Sequence, residues 1–187
     1  MSNETQKNLL RAIAGESMAR NKYTFFASYA KKEGYEQIAA IFEETADNEK
    51  EHAKRLLKLV EGEVQSSLDK FDFSLVKTTS ENLAAAASGE DHETKIMYPD
   101  FEQIARDEGF DEIADVFKEI GEVEEAHRNR YLKLKENVDK GMVFKRDKVI
   151  KWHCRNCGYI HEGKEAPAVC PACAHPQAFY ELFAENY

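Results

Sequence analysis

Apolar positions recur along two stretches of the chain at alternating spacings of four and three. Ile113, Phe117, Ile120, Glu124, His127, Tyr131, Leu134 and Val138 form one stripe; Ile38, Phe42, Thr45, Glu49, His52, Leu56 and Leu59 form another. This is the period of a helix with one face against a core. Each stripe holds a Glu and a His three residues apart, which on a helix project from the same face. A helix from about Thr5 to Lys32 carries Leu9, Ile13, Glu16, Ala19, Tyr23, Phe26 and Ala30, and Gly34 ends it. A second is expected from about Tyr35 to Glu61, stopping at Gly62. A third opens at Thr78-Thr79-Ser80-Glu81, where the residue types suit a helix cap. It carries Leu83, Ala86, Glu90, Glu93, Met97 and Ile104 on one face and breaks at Gly109. Pro99 predicts a local kink or distortion there, because it removes a backbone donor. The fourth runs from about Asp111 to Lys140, ending at Gly141.

The two helical hairpins repeat each other. Gly15-Glu16 matches Gly89-Glu90, Gly34-Tyr35 matches Gly109-Phe110, and Glu49 and His52 match Glu124 and His127. The offset between the halves slips from 74 to 75, so the second half has one extra residue, placed near Pro99. At ~1.5 Å per helical residue, each Glu lies roughly 22–30 Å from its hairpin turn, near mid-helix. Residues 63–77 show no helical period and span about 50 Å when extended, enough to cross the length of a bundle. A four-helix bundle with one long crossover follows, with Glu16, Glu49, His52, Glu90, Glu124 and His127 converging at mid-height.

Carboxylates aimed at an apolar core must be protonated, paired or bound to a cation. Two Glu-x-x-His pairs, each with a core-facing Glu on the preceding helix, make the pattern of a two-metal carboxylate site. The alternative, exposed surface residues, needs the stripe to be misplaced by about 100° on all four helices. Glu93 breaks the symmetry, since its first-half counterpart is Ala19; it is either a fifth carboxylate of the site or a surface residue. Tyr23 and Tyr98 are placed to hydrogen-bond ligand carboxylates, with core filling as the alternative. The donor set suits iron or manganese more than zinc.

The chain has 187 residues and a formal net charge of −9. That charge argues against nucleic acid or an anionic membrane as partner. The N-terminus does not resemble a signal peptide and no apolar run is long enough to span a bilayer, so a cytoplasmic location is expected. All four cysteines lie between 154 and 173, as Cys154-x-x-Cys157 and Cys170-x-x-Cys173. Two such pairs signal a tetrahedral four-thiolate metal site. Gly158 and Pro171 suit its turns, and Trp152, Tyr159, Phe179, Tyr180 and Phe183 supply a small core. Lys145-Arg146-Asp147-Lys148 reads as a charged connector. The expected division is 1–145 for the bundle and 146–187 for a small β-rich module. Four thiolates accept zinc or iron, and spacing alone favours a zinc ribbon.

The segments GESMARNKY at 15–23, NEKEH at 48–52, GEDHE at 89–93, EEAH at 124–127, CRNCGY at 154–159 and CPACAHP at 170–176 together resemble rubrerythrin over nearly the whole chain. The resemblance implies a ferritin-like di-iron bundle joined to a rubredoxin-like domain with one iron held by Cys154, Cys157, Cys170 and Cys173. It implies Glu16, Glu49, His52, Glu90, Glu93, Glu124 and His127 as di-iron ligands, with Glu49 and Glu124 bridging. It further implies that one iron moves between His52 when reduced and Glu93 when oxidised. The implied activity is a peroxidase reducing hydrogen peroxide to water in oxidative-stress defence. Electrons would come from an external donor, a rubredoxin or an NAD(P)H-dependent reductase, and a head-to-tail homodimer is expected. The competing readings are a ferroxidase or iron-storage protein, and a non-enzymatic metal-binding protein with a zinc ribbon. Ala174 and His175 follow the second cysteine pair where stand-alone rubredoxins usually have Gly, so the electronics of this centre need not copy theirs.

Overall fold

The computed structural model describes residues 3–62, 64–67 and 76–185. Five α-helical segments and a three-stranded sheet make it up: α1 (Glu4–Lys32), α2 (Glu36–Leu57), α3 (Thr79–His92), α4 (Tyr98–Asp107), α5 (Asp111–Asp139), β1 (Lys145–Cys154), β2 (Ile160–Glu165) and β3 (Tyr180–Leu182). A π-helical turn, Glu93–Met97, joins α3 to α4, so the two act as one arm of a four-helix bundle. Most of the 63–77 crossover falls outside the described residues.

Residue types explain the helix ends. Asn3 caps α1 by accepting the Gln6 N–H, and Thr78 and Glu81 form a reciprocal capping box at α3. Gly34 and Gly109, both at φ 82°, terminate α1 and α4 in the left-handed conformation that glycine adopts without a Cβ penalty. The second helix ends at Leu57, short of the Glu61 expected from its periodicity. Its last turn tightens to three-residue bonds, Lys58 to Arg55 and Leu59 to Leu56. The side chain of Gln6 then takes over the freed backbone, donating to Leu59 O and accepting from the Glu61 N–H.

Side-chain bonds fix the helix directions. Thr5 on α1 bonds Glu108 after α4, while Glu33 at the other end of α1 accepts from the Thr79 N–H. These arms are therefore antiparallel. So are α2 and α5, tied by Arg130 to Glu44 at one end and Arg55 to Glu112 at the other. The interior has two apolar blocks. One centres on Tyr23, Phe26, Ile38, Phe42, Leu83 and Tyr131, the other on Leu9, Leu56, Tyr98, Phe101, Ile113 and Phe117. Between them lies a buried polar layer of Glu16, Glu49, Glu90, Glu124 and His127.

The extra residue and the distortion expected near Pro99 take the form of the π turn, while Pro99 itself sits harmlessly in the first turn of α4. Tyr98 N–H reaches back five residues to Glu93 O. This shifts the buried face by one position. Beyond the turn Tyr98, Phe101 and Ala105 are buried, where the unbroken period had put Met97 and Ile104.

The C-terminal sheet is antiparallel in the order β2-β1-β3. The charged run 145–148 is the outer half of β1, with Lys145 opposite Glu165 and a register irregularity before Ile150. Trp152, Cys154, Ala166, Cys170 and Tyr180 are its core, joined by Phe144, Tyr159 and Phe179; Phe183 instead lies edge-on to His153. The module rests on the α1–α2 turn. Tyr35 stacks on Phe144 at 6.1 Å, and Gly34 lies against Ala178. Among the described residues no helix is long and apolar enough to cross a membrane.

Thr78→Ala removes half of the capping box and is expected to cost about 1 kcal/mol of stability. The denaturant midpoint should fall while the iron spectra stay unchanged.

Candidate metal centres

Six side chains from four helices meet in the polar layer, as two overlapping groups. Glu16, Glu49, His52 and Glu124 each offer a donor atom within 4.8 Å of the others; so do Glu49, Glu90, Glu124 and His127. Glu49 and Glu124 belong to both. The helical period delivers each Glu-His pair, and antiparallel packing puts the two pairs face to face, with the His52 and His127 rings stacked 6.1 Å apart. His52 Nδ1 lies 3.0 Å from Glu49, 2.9 Å from Glu124 and 3.5 Å from Glu16. His127 Nδ1 lies 2.7 Å from Glu124 and 3.4 Å from Glu49. Glu93, the partly buried first residue of the π turn, stands beside these groups but belongs to neither.

The two tyrosines are cross-wired. Tyr23 of α1 donates to Glu90 of α3, while Tyr98 of α4 donates to Glu16 of α1. Each phenol thus holds the lone carboxylate of the opposite half. Sequence reasoning placed both tyrosines near the site but could not choose the carboxylate, because that depends on the antiparallel packing of α1 and α3. It missed Arg128, which binds Asp91 at 2.9 Å and Glu125 at 3.0 Å and so ties α5 to the end of α3 beside the cluster. The only signal was its position one turn after Glu124.

Electrostatics show what the layer lacks. Burial raises the Glu16 and Glu90 carboxyls well above their ordinary range, and neighbouring carboxylates raise both further. Burial, then Glu124 and Glu49, push Glu93 up to about 8. Burial opposes charge on the histidines, but the surrounding carboxylates outweigh it, raising His52 to about 12 and His127 to about 9. Burial also acts to raise Glu49, yet His127 and His52 hold it below its ordinary value. Protons here stand where cations belong. Glu49 Oε1, Glu90 Oε2 and Glu124 Oε1 are buried without a hydrogen-bond partner; imidazole nitrogens lie near two of them at angles that do not bond. Orphaned carboxylate oxygens beside imidazole nitrogens are a donor set that fits divalent metal.

The second centre fits metal as well. Cys154 and Cys173 sulfurs are 3.9 Å apart, and Cys157 and Cys170 sulfurs 3.7 Å. The edge of a tetrahedron with metal–sulfur bonds of about 2.3 Å is about 3.8 Å, whereas a disulfide needs about 2.05 Å. The two loops match. Gly158 N–H donates to Cys154 O and Ala174 N–H to Cys170 O, with both residues in the left-handed region, at φ 81° and 58°.

Both halves of the chain have counterparts among known proteins. The sequence profile described as Rubrerythrin matches residues 7–135, and that of the rubrerythrin rubredoxin-like domain matches 152–181. The chain belongs to the rubrerythrin family. It is 54% identical to the rubrerythrin of Porphyromonas gingivalis over 184 residues, covering 98% of this chain and 92% of that one. Identity to the rubrerythrin of Nitratidesulfovibrio vulgaris is 52% over 183 residues, covering 98% and 96%. A solved structure of nigerythrin in a mixed-valent state superposes with a TM-score of 0.65 at 36% identity, covering 98% of this chain and 88% of that one. The ferritin-like bundle and rubredoxin-like domain are thus those of a rubrerythrin. Its cofactors are two irons in a carboxylate-bridged site and one iron in a four-cysteine site, so the thiolate centre is a rubredoxin-like iron site rather than the zinc ribbon that spacing alone favoured.

Metal loading should release protons, because the cations replace those held by the histidines and carboxylates. Removing the bundle metals should make stability fall as pH rises from about 5 to 9, since the folded chain then binds more protons than the unfolded one. The loss runs through the folded values of Glu93 (about 8) and His127 (about 9). Glu49, shifted the other way, affects only acid pH. Calorimetry in buffers of different ionisation enthalpy reads the released protons, and denaturant midpoints against pH read the rest.

Proposed function

We propose that this rubrerythrin-family chain is a peroxidase that reduces hydrogen peroxide to two waters with two electrons and two protons. What supports this most is the overlap of two donor groups on Glu49 and Glu124 within a chain that also carries a four-thiolate centre. Two ferrous ions held there would supply the two electrons and the Lewis-acid template that cleavage of an O–O bond requires. The protein's part is placement. Glu49 and Glu124 would hold both ions at once. Glu16 with His52, and Glu90 with His127, would complete the two sides, and Tyr98 and Tyr23 would fix the outer carboxylates. Among the described residues the His52 side of the cluster is the more open, since His127 is buried while the His52 side chain is 14% exposed. The partly exposed side with His52 and Glu93 is where peroxide would enter and where a ligand would change. A storage protein of the ferritin class would leave the thiolate centre without a role.

The thiolate centre would return electrons one at a time, itself supplied by a rubredoxin or an NAD(P)H-linked reductase. Cys157 is exposed and Cys173 partly so, which gives an external donor an edge to approach. Four free thiols suit a reducing cytoplasm. The module rests at the α1–α2 turn, and Glu49 lies fourteen residues beyond Tyr35, roughly 21 Å along α2. A head-to-tail dimer would bring each module against the partner's cluster, which a two-fold pair does reciprocally.

Glu49→Ala and Glu124→Ala should each abolish peroxide turnover while leaving the thiolate-to-iron absorption intact. Wild-type turnover in either variant would falsify the assignment. Loading of many irons per chain would instead favour storage.

Co-expressing a chain lacking Cys154 and Cys157 with one lacking Glu49 and Glu124 tests the route. The mixed dimer should recover activity with an external reductase although both parent homodimers are inactive. An inactive mixed dimer with both surviving sites iron-loaded would rule out transfer between subunits.

A further inference from the structure

The outer half of β1 and the end of β3 border a groove of about 440 Å³ that includes no ligand of either metal centre. Ile150, Leu182 and Phe183 are its apolar lining, and Leu182 is 40% exposed. Arg146, Lys148 and Lys151 line it too, against one carboxylate, Asp147. These cations are short of partners. In the bundle Arg11, Arg55, Arg106, Arg128 and Arg130 each reach a carboxylate. Among the described residues neither Arg146 nor Lys148 pairs with one, and Lys151 meets Glu185 only at 4.0 Å. The Arg146 guanidinium lies 5.7 Å from the centroid of the Trp152 ring, and the Lys151 ammonium 5.7 Å from that of Phe183. Rings hold these two heads in place, and a ring does not cancel their charge.

With Lys145, residues 145–151 carry four cations and one carboxylate, in a chain of net charge −9. An acidic protein is repelled by the chain as a whole and drawn to this stretch. A simple anion would gain nothing from Ile150, Leu182 and Phe183, whereas apolar side chains beside arginine suit a protein interface. The groove is also close to the thiolate centre. Lys151 precedes Cys154 by three residues on β1, about 10 Å, and Leu182 stands two residues beyond Tyr180, the strand partner of Cys154.

We propose that this groove is the docking surface for the protein that reduces the thiolate centre, a small acidic one-electron carrier whose carboxylates meet Arg146, Lys148 and Lys151. One electron passes from the reduced carrier to the ferric centre, leaving the centre ferrous and the carrier oxidised by one electron. This rests on the reading that the thiolate centre is supplied from outside, and adds the surface and the charge of the partner.

The test uses the full iron-loaded chain with flavodoxin, an acidic one-electron flavoprotein, as probe. Calorimetry with oxidised flavodoxin at low salt reads binding, and stopped-flow formation of the semiquinone from flavodoxin hydroquinone reads electron delivery. Arg146→Gln combined with Lys148→Gln should weaken binding and slow delivery about tenfold, an effect that fades in high salt, with the thiolate-to-iron absorption unchanged. Lys118→Gln combined with Lys133→Gln removes the same charge from α5 and should change either reading less than about twofold. An equal fall in both variants, no fall in the groove variant, or no flavodoxin binding by the unmodified chain overturns the proposal. So does a groove variant that sediments as a monomer where the unmodified chain is a dimer, because the groove is then a contact between copies of this chain. A thiolate centre that dithionite reduces but that never passes its electron to the bundle irons would instead overturn the relay beneath the proposal.

Discussion

Placing carboxylates inside an apolar core is the constraint on which this structure turns. Glu16, Glu49, Glu90 and Glu124 are at most 1% exposed, and they lie between two blocks of aromatic and aliphatic side chains. An isolated buried carboxylate costs several kcal/mol, so the layer is tolerable only with compensating positive charge. Without metal, protons and two raised histidines provide it, at the expense of shifting nearly every group in the cluster. With metal, the same oxygens gain the partners they lack. The bundle's stability and its chemistry are thus one electrostatic problem, and the helices are arranged to solve it. Antiparallel packing of like arms brings the repeated Glu-x-x-His pairs together and lets each half supply the phenol that steadies the other half's carboxylate.

The repeat would yield a symmetric site, and one added residue breaks it. Inserting a residue into a helix leaves a choice between rotating everything downstream and absorbing the surplus in a π turn. Here the π turn confines the disturbance to Glu93–Met97, with Tyr98, Phe101 and Ala105 regaining the positions of Tyr23, Phe26 and Ala30. The site is made asymmetric at its edge without disturbing the two shared carboxylates. Glu93 occupies the first position of that turn, its N–H still bonded to Gly89 O as in an α-helix while its own carbonyl accepts from Tyr98 five residues on.

Much of this was legible in the chain itself, for identifiable reasons. The stripes of α2 and α5 are long and regular, so the facing of Glu49, His52, Glu124 and His127 follows from periodicity alone. The slip from 74 to 75 announced an extra residue. What it could not reveal was the form the residue takes, because Pro99 allows a kink or another distortion, while backbone satisfaction selects a π turn that ends two residues earlier. The end of α2 was misplaced because Gln6, more than fifty residues away, captures its last backbone groups. Ala174 shows the same limit in a small compass. Its left-handed backbone costs about 1 kcal/mol that Gly158 avoids in the matching loop. Nothing in residue type predicts that; only the equivalence of the two cysteine loops does.

The module at the end of the bundle has the opposite architecture, and the difference is physically required. With so few buried side chains it cannot hold four thiolates by packing, so the metal must organise the fold rather than the fold the metal. Its sulfurs consequently sit near the surface. Cys154 and Cys170 close the inner edge, while Cys157 and Cys173 form an outer edge open to solvent. A centre built this way suits exchange of electrons with another protein, whereas the carboxylate layer, buried and more open on its His52 side, suits a small substrate. Joining the two in one chain assigns the macromolecular encounter to the surface centre and keeps the reacting site closed to it.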